Sequence, residues 1–107
     1  MLGPSVEVSV TDVRTQGFMY NYQLTNPNTD GGEVYFMVQD ARIPAPSAAS
    51  VGHEGGNCWG SYPQIDEEVH SKGTSCPGLS AGRSYNVYTT LDNVSTQVTQ
   101  FTAFGNS

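Results

Sequence analysis

The stretch Phe18-Met19-Tyr20-Asn21-Tyr22-Gln23-Leu24 places Phe18, Tyr20, Tyr22 and Leu24 on one side of an extended chain and Met19, Asn21 and Gln23 on the other. That period of two marks a strand with one buried face. The run halts at Asn26-Pro27-Asn28-Thr29-Asp30-Gly31-Gly32, a dense set of turn formers. Working upstream, Val6, Val8 and Val10 alternate with Glu7 and Ser9, and Asp12 carries the chain into a turn. Downstream, Val34 to Val38 is nearly continuous in apolar and aromatic residues, as in a central strand covered on both faces, and it closes at Asp40. Alternation returns with Tyr85, Val87, Thr89 and Leu91 against Asn86, Tyr88 and Thr90, followed by a last strand from about Thr96 to Phe104. Between Arg42 and Gly78 the pattern lapses. Pro44, Pro46, the run Ser47 to Ser50, and Gly52, Gly55, Gly56, Gly60 and Gly73 leave room there only for short or edge strands. No segment carries apolar residues at helical spacing, so the expected class is an all-β antiparallel sandwich.

A chain of 107 residues is one domain's worth, here residues 1–107, with room for one core but not for two lobes and a cleft. Charged residues make up 13%, against roughly 25% in ordinary soluble domains. The net charge of -6 leaves Arg14, Arg42, Lys72 and Arg83 as the only fixed cations, which argues against nucleic acid and against insertion into an anionic membrane. No apolar run reaches the length of a secretory signal or a membrane span. Phe104 to Ser107 read as the start of a linker, so the chain is expected to be a module of a longer protein.

Cys58 and Cys76 stand 18 positions apart in the least regular part of the sequence. A disulfide there would stabilise the fold by roughly 3 kcal/mol and would place the protein in an oxidising compartment. Two reduced thiols are the alternative. Zinc is a weaker one, because His53 and His70 flank the cysteines without a metal-binding spacing.

The block Leu79-Ser80-Ala81-Gly82-Arg83-Ser84-Tyr85-Asn86-Val87-Tyr88 resembles the approach to the sixth strand of a fibronectin type III domain. In that family a Leu and a Tyr at this spacing form the tyrosine corner, whose hydroxyl bonds back to upstream backbone. Leu79 and Tyr85 occupy those places. Gly32 through Val38, then Pro44, Pro46 and Ala48-Ala49-Ser50-Val51, are similar to the third and fourth strands of a fibronectin-like subgroup from large cell-surface proteins, and Phe101-Thr102 resembles the family's last strand. One departure stands out: Tyr22 holds the place where the family sets a core Trp, and the sole Trp, Trp59, lies in the irregular segment. The resemblance implies a fibronectin type III or immunoglobulin-like β-sandwich of about seven strands within about residues 5–104. It also implies a non-catalytic extracellular module, a spacer or adhesion unit whose partners are proteins or neighbouring modules of the same chain. The rival is an accessory carbohydrate-binding domain of a secreted polysaccharide-degrading enzyme. No Arg-Gly-Asp tripeptide occurs.

Each group with chemical potential has a structural counterpart. Asp66-Glu67-Glu68 supplies carboxylates, but neighbours in a strand alternate faces. Serine, cysteine, histidine and acid side chains are present without a nucleophile elbow, a His-Glu-x-x-His pair or a phosphate loop, so no enzyme and no cofactor is expected. Asn93-Val94-Ser95 is an acceptor sequence for an N-linked glycan at a turn, or else Asn93 shapes that turn. Asp12, Asp30, Asp40 and Asp92 fall near strand ends, where calcium at a module junction is conceivable, yet no oxygen-rich loop of fixed spacing supports a metal site. Trp59 and Tyr62, with Pro63, form a candidate platform for a sugar ring or a partner's apolar anchor. The alternative puts Trp59 with the disulfide in a small satellite core. Tyr35, Met37 and Tyr88 read either as core or as an exposed docking stripe, and Pro44 and Pro46 are expected to blunt an edge strand.

Overall fold

The computed structural model describes residues 3–103, so the expected linker from Phe104 onward lies outside the described residues. Seven strands appear in chain order: β1 (Ser5–Arg14), β2 (Gly17–Thr25), β3 (Glu33–Asp40), β4 (Cys58–Pro63), β5 (His70–Ser75), β6 (Ser84–Leu91) and β7 (Thr96–Thr102). All pairings are antiparallel. They form two sheets, one in the order β1-β2-β5 and the other β4-β3-β6-β7. The protein is an all-β sandwich. Both strands drawn from the irregular segment, β4 and β5, are short and lie at sheet edges, as their glycine content requires.

The alternation at Phe18 to Leu24 does what its period dictates. Phe18, Tyr20, Tyr22 and Leu24 are buried between the sheets against Val34, Phe36 and Val38 of β3, Tyr85 and Val87 of β6, and Phe101 of β7. Aromatic rings dominate this interior: Tyr20 stacks on Phe36 at 4.8 Å, and Phe18 meets Phe101 at 5.0 Å. Such pairs add about 0.5–1.5 kcal/mol each beyond burial alone. The Tyr20 hydroxyl lies 2.8 Å from the Thr89 hydroxyl, so the buried phenol keeps a partner, and burial pushes its ionisation well above the ordinary phenol range. Tyr22, where a Trp was the expectation for the family, is 2% exposed and fills the same interior.

Central β3 is covered on both faces. On its outer side Met37 packs with Tyr88 and Val51, and Tyr35 joins their margin, so these residues are core and not a docking stripe. The lid is the loop between β3 and β4, whose one helical turn spans Ala48–Ser50. Its glycines allow close approach: Gly52, at φ +86°, sits where a Cβ would lie 2.7 Å from the Tyr35 ring, and a Cβ on Gly56, at φ +66°, would strike the Val38 carbonyl. Pro44 and Pro46 belong to this lid and protect no strand edge, a correction to the sequence expectation. The Gln39 amide donates to the Pro44 carbonyl at 2.8 Å and holds the lid's start down.

Candidate functional site

Chemistry-bearing side chains gather along the margin where edge strands β4 and β5 face each other across the sandwich. Tyr62 of β4 points inward and stacks on Tyr22 at 5.8 Å, and Tyr22 stacks in turn on the His70 ring of β5 at 5.3 Å. Burial raises the ionisation of both phenols. The Lys72 ammonium lies 5.2 Å from the centre of the Tyr62 ring, a cation–π contact by the only lysine of the chain. His70 Nε2 is 2.7 Å from Asp66 Oδ1, and the Glu68 backbone N–H donates to the same oxygen at 3.0 Å. Those two contacts, His70 first, hold the Asp66 carboxyl below its ordinary value of 3.8. Glu67 turns elsewhere, accepting the Asn26 N–H at 2.8 Å, while its own carbonyl accepts the Gln23 amide. Asp66 and Glu67 therefore anchor separate backbone groups and do not face one another as an acid–base pair.

The proposed platform of Trp59 and Tyr62 is split by the strand that carries it. In β4, residues three apart fall on opposite faces, so Tyr62 enters the aromatic stack while Trp59 stands on the outer face, 49% exposed. Trp59 is also not in a satellite core with the disulfide. Cys58 and Cys76 are bonded, and both belong to the main interior. Their Cα atoms lie 5.1 Å apart, within the range a bridge needs. Since Cys58 begins β4 and Cys76 follows β5, the bond ties one sheet to the other. Next to it, the Tyr85 hydroxyl accepts the Ser80 N–H at 2.7 Å, with the ring 3% exposed and Leu79 packed on the core. The expected tyrosine corner is in place.

Asn93 is a structural brace. Its side-chain amide nitrogen donates to the carbonyls of Ala48 and Val51, both at 2.9 Å, and its oxygen accepts from His53 Nε2 at 2.9 Å. A glycan on that nitrogen would replace one of the bonded hydrogens and occupy the lid's position, so the folded geometry contradicts the glycosylation reading. The His53 ring lies tilted against Tyr35 at 4.8 Å and is fixed by Asn93, so it differs from His70 in both role and partners. Three of the four aspartates expected near strand ends have committed carboxylates: Asp12 pairs with Arg14, Asp40 with Arg42 and Arg83, and Asp92 accepts the Glu33 N–H and the Asn28 amide. Asp30 takes part in a turn through its own N–H, which donates to Asn28 Oδ1. Among the described residues no group of three acidic, histidine or cysteine side chains is arranged to hold a metal ion.

Gln64 is the residue that sequence reasoning missed. It is 2% exposed, its oxygen accepts the Asn28 N–H at 2.7 Å, and its nitrogen donates to the Glu33 carbonyl at 3.0 Å and to Asp92 at 3.4 Å. Asp92 adds the Glu33 N–H at 2.8 Å and the Asn28 amide at 3.1 Å. A glutamine between Pro63 and Ile65 carries no periodic or motif signal, because what fixes it are backbone groups of two distant turns. No protein-family model, no curated protein and no solved structure matches the chain.

Proposed function

We propose that this chain is a fibronectin type III-like extracellular module that serves as a spacer and interaction unit of a larger surface protein or filament, and not as a catalyst. The observation that carries this reading is the placement of the first and last strands. Ser5 pairs with Thr25 and borders the same cleft as Asp92, Ser95 and Thr96, whereas Thr102 pairs with Ser84 at the far end of the other sheet. The two strands thus open at opposite poles of a body 48 × 26 × 20 Å in extent, the geometry of a bead on a string. The disulfide supports an oxidising compartment outside the cytosol. The fourth strand pairs with the third, so it does not follow the immunoglobulin constant arrangement, in which the fourth strand joins the sheet of the first, second and fifth. Histidine and carboxylate groups at the β4–β5 margin brace backbone and aromatic rings, which supports a structural role for them.

Affinity electrophoresis through gels containing soluble polysaccharides tests the reading against the carbohydrate-binding one. Unchanged mobility in every gel is expected. Retardation that Trp59→Ala abolishes would overturn the spacer reading and make the exposed indole a sugar platform.

A further inference from the structure

We infer that β7 is a self-pairing edge, through which two copies of this chain join their four-stranded sheets into one. This goes beyond the spacer reading, and an affinity gel does not report it, so the two stand or fall separately.

The sheet edges differ in how they resist pairing. β1 carries Glu7 and a bulge at Asp12–Arg14, β4 ends in Pro63, and β5 contains Lys72 and Gly73. β7 has none of these devices. From Val94 to Ala103 the chain contains no charge, no proline and no glycine, a composition that favours strand addition. Among the described residues no strand pairs with β7 on the side away from β6.

The backbone sets the register of such a pair. The Ala103 N–H donates to the Arg83 carbonyl at 2.8 Å. By the alternation of an antiparallel ladder, the polar groups of Phe101, Thr99 and Gln97 therefore turn toward β6, and those of Thr96, Val98, Gln100 and Thr102 turn outward. A two-fold axis at Thr99 pairs Thr96 with Thr102 of the second copy and Val98 with Gln100. Every member of those pairs is an outward-facing residue, so the ladder closes with about eight hydrogen bonds. The axis at Thr99 sets threonine against threonine at both ends, Thr96 against Thr102.

Charge and exposed area favour a second copy as the occupant. Antiparallel pairing sets the acidic end of each strand, near Asp92 and Glu33, beside the end where Asp40 is outnumbered by Arg42 and Arg83. A chain of net charge -6 can so approach itself along this uncharged edge. Beside that edge, Val6, Val8 and Val10 of β1 face the core yet remain only half-buried, Val98 is 53% exposed, and a cleft of about 370 Å³ opens beside Thr96 and Gln97. A second copy continuing the sheet would cover this margin.

Sedimentation equilibrium of the chain across micromolar to millimolar concentration tests the pairing. A reversible shift from 11.5 kDa toward twice that mass is expected, with the weak affinity of a small interface. Val98→Pro removes an outward N–H while sparing every bond to β6, and is expected to weaken association at least about tenfold. The doubly substituted Val98→Lys, Gln100→Lys chain opposes like charges at each Val98–Gln100 pair and should be monomeric alone, as should Val98→Glu, Gln100→Glu. An equal mixture of the two should recover the dimer mass. A monomer at every concentration, a dimer insensitive to these changes, or a mixture that stays monomeric would overturn the inference.

Discussion

At the pole where β7 ends, the sheets are joined by the Cys58–Cys76 bond and by the Tyr85 hydroxyl on the Ser80 N–H. At the opposite pole no covalent bond serves. Closure there rests on Gln64 and Asp92, which between them satisfy the Asn28 N–H, both polar backbone groups of Glu33 and the Asn28 amide. The comparison separates two ways of holding a small sandwich shut. A disulfide acts largely by restricting the unfolded chain, so its benefit does not depend on its immediate neighbours. A buried polar network helps only while every member keeps its partners, because one orphaned group carries the full desolvation cost.

The largest expected effect lies at the covalent pole. Cys58→Ala with Cys76→Ala, or reduction of the native chain, should cost roughly 3 kcal/mol, seen by calorimetry as a fall in Tm of about 10–20 °C. An unchanged Tm would mean that the bridge is not what holds this pole. Next comes the polar pole. Gln64→Ala strands the Asn28 N–H and leaves the Glu33 carbonyl with the Asp92 N–H alone, and should cost about 2 kcal/mol, read as a lower urea midpoint at constant m-value. Tyr85→Phe keeps the ring but removes the acceptor of the Ser80 N–H. A loss of about 1 kcal/mol is expected, smaller than at Gln64 because the disulfide beside it still ties the sheets; an equal or larger loss would reverse the ranking of the poles.

The smallest effect is electrostatic. Asp66 near the polar pole and Asp40 near the covalent pole are both held below their ordinary value of 3.8, by His70 and by Arg42 respectively. A carboxyl depressed on folding adds stability above its unfolded value, and that contribution is lost as pH falls through the folded value. Stability should therefore decline on acidification below about pH 4, and the change should be small because Asp66 and both arginine partners of Asp40 are exposed to solvent. Carboxyl NMR titration of His70→Ala should return Asp66 toward 3.8 and leave Asp40 where it is. Movement of both would show that the two poles are electrostatically coupled.

The parts of this molecule legible in its sequence are those with a local period or a fixed spacing. Phe18 to Leu24 announces its buried face, Leu79 and Tyr85 announce the corner, and two cysteines in an irregular segment announce a bond. What escaped notice depends on distant partners. Trp59 and Tyr62 look like one aromatic surface in a glycine-rich loop, yet β4 is a strand and its pleat sends them to opposite faces. Asn93 matches a glycan acceptor in its own tripeptide, whereas its role is set by Ala48 and Val51, more than forty residues earlier. Thr90 alternates as a solvent-facing residue should, yet it is buried, its hydroxyl accepting the Asn93 N–H.

Pulling a single molecule between residues 3 and 103 tests the central claim, a bead cross-tied between its sheets with its ends at opposite poles, most directly. The chain released on unfolding is expected to lengthen by roughly 60 Å when reductant is added, the reach of the 18 positions that the bond conceals. In either state the released length is expected to fall roughly 30 Å short of the contour available in that state, since the folded body already spans about the length of β1. Equal lengths with and without reductant, or no shortfall, would contradict that claim.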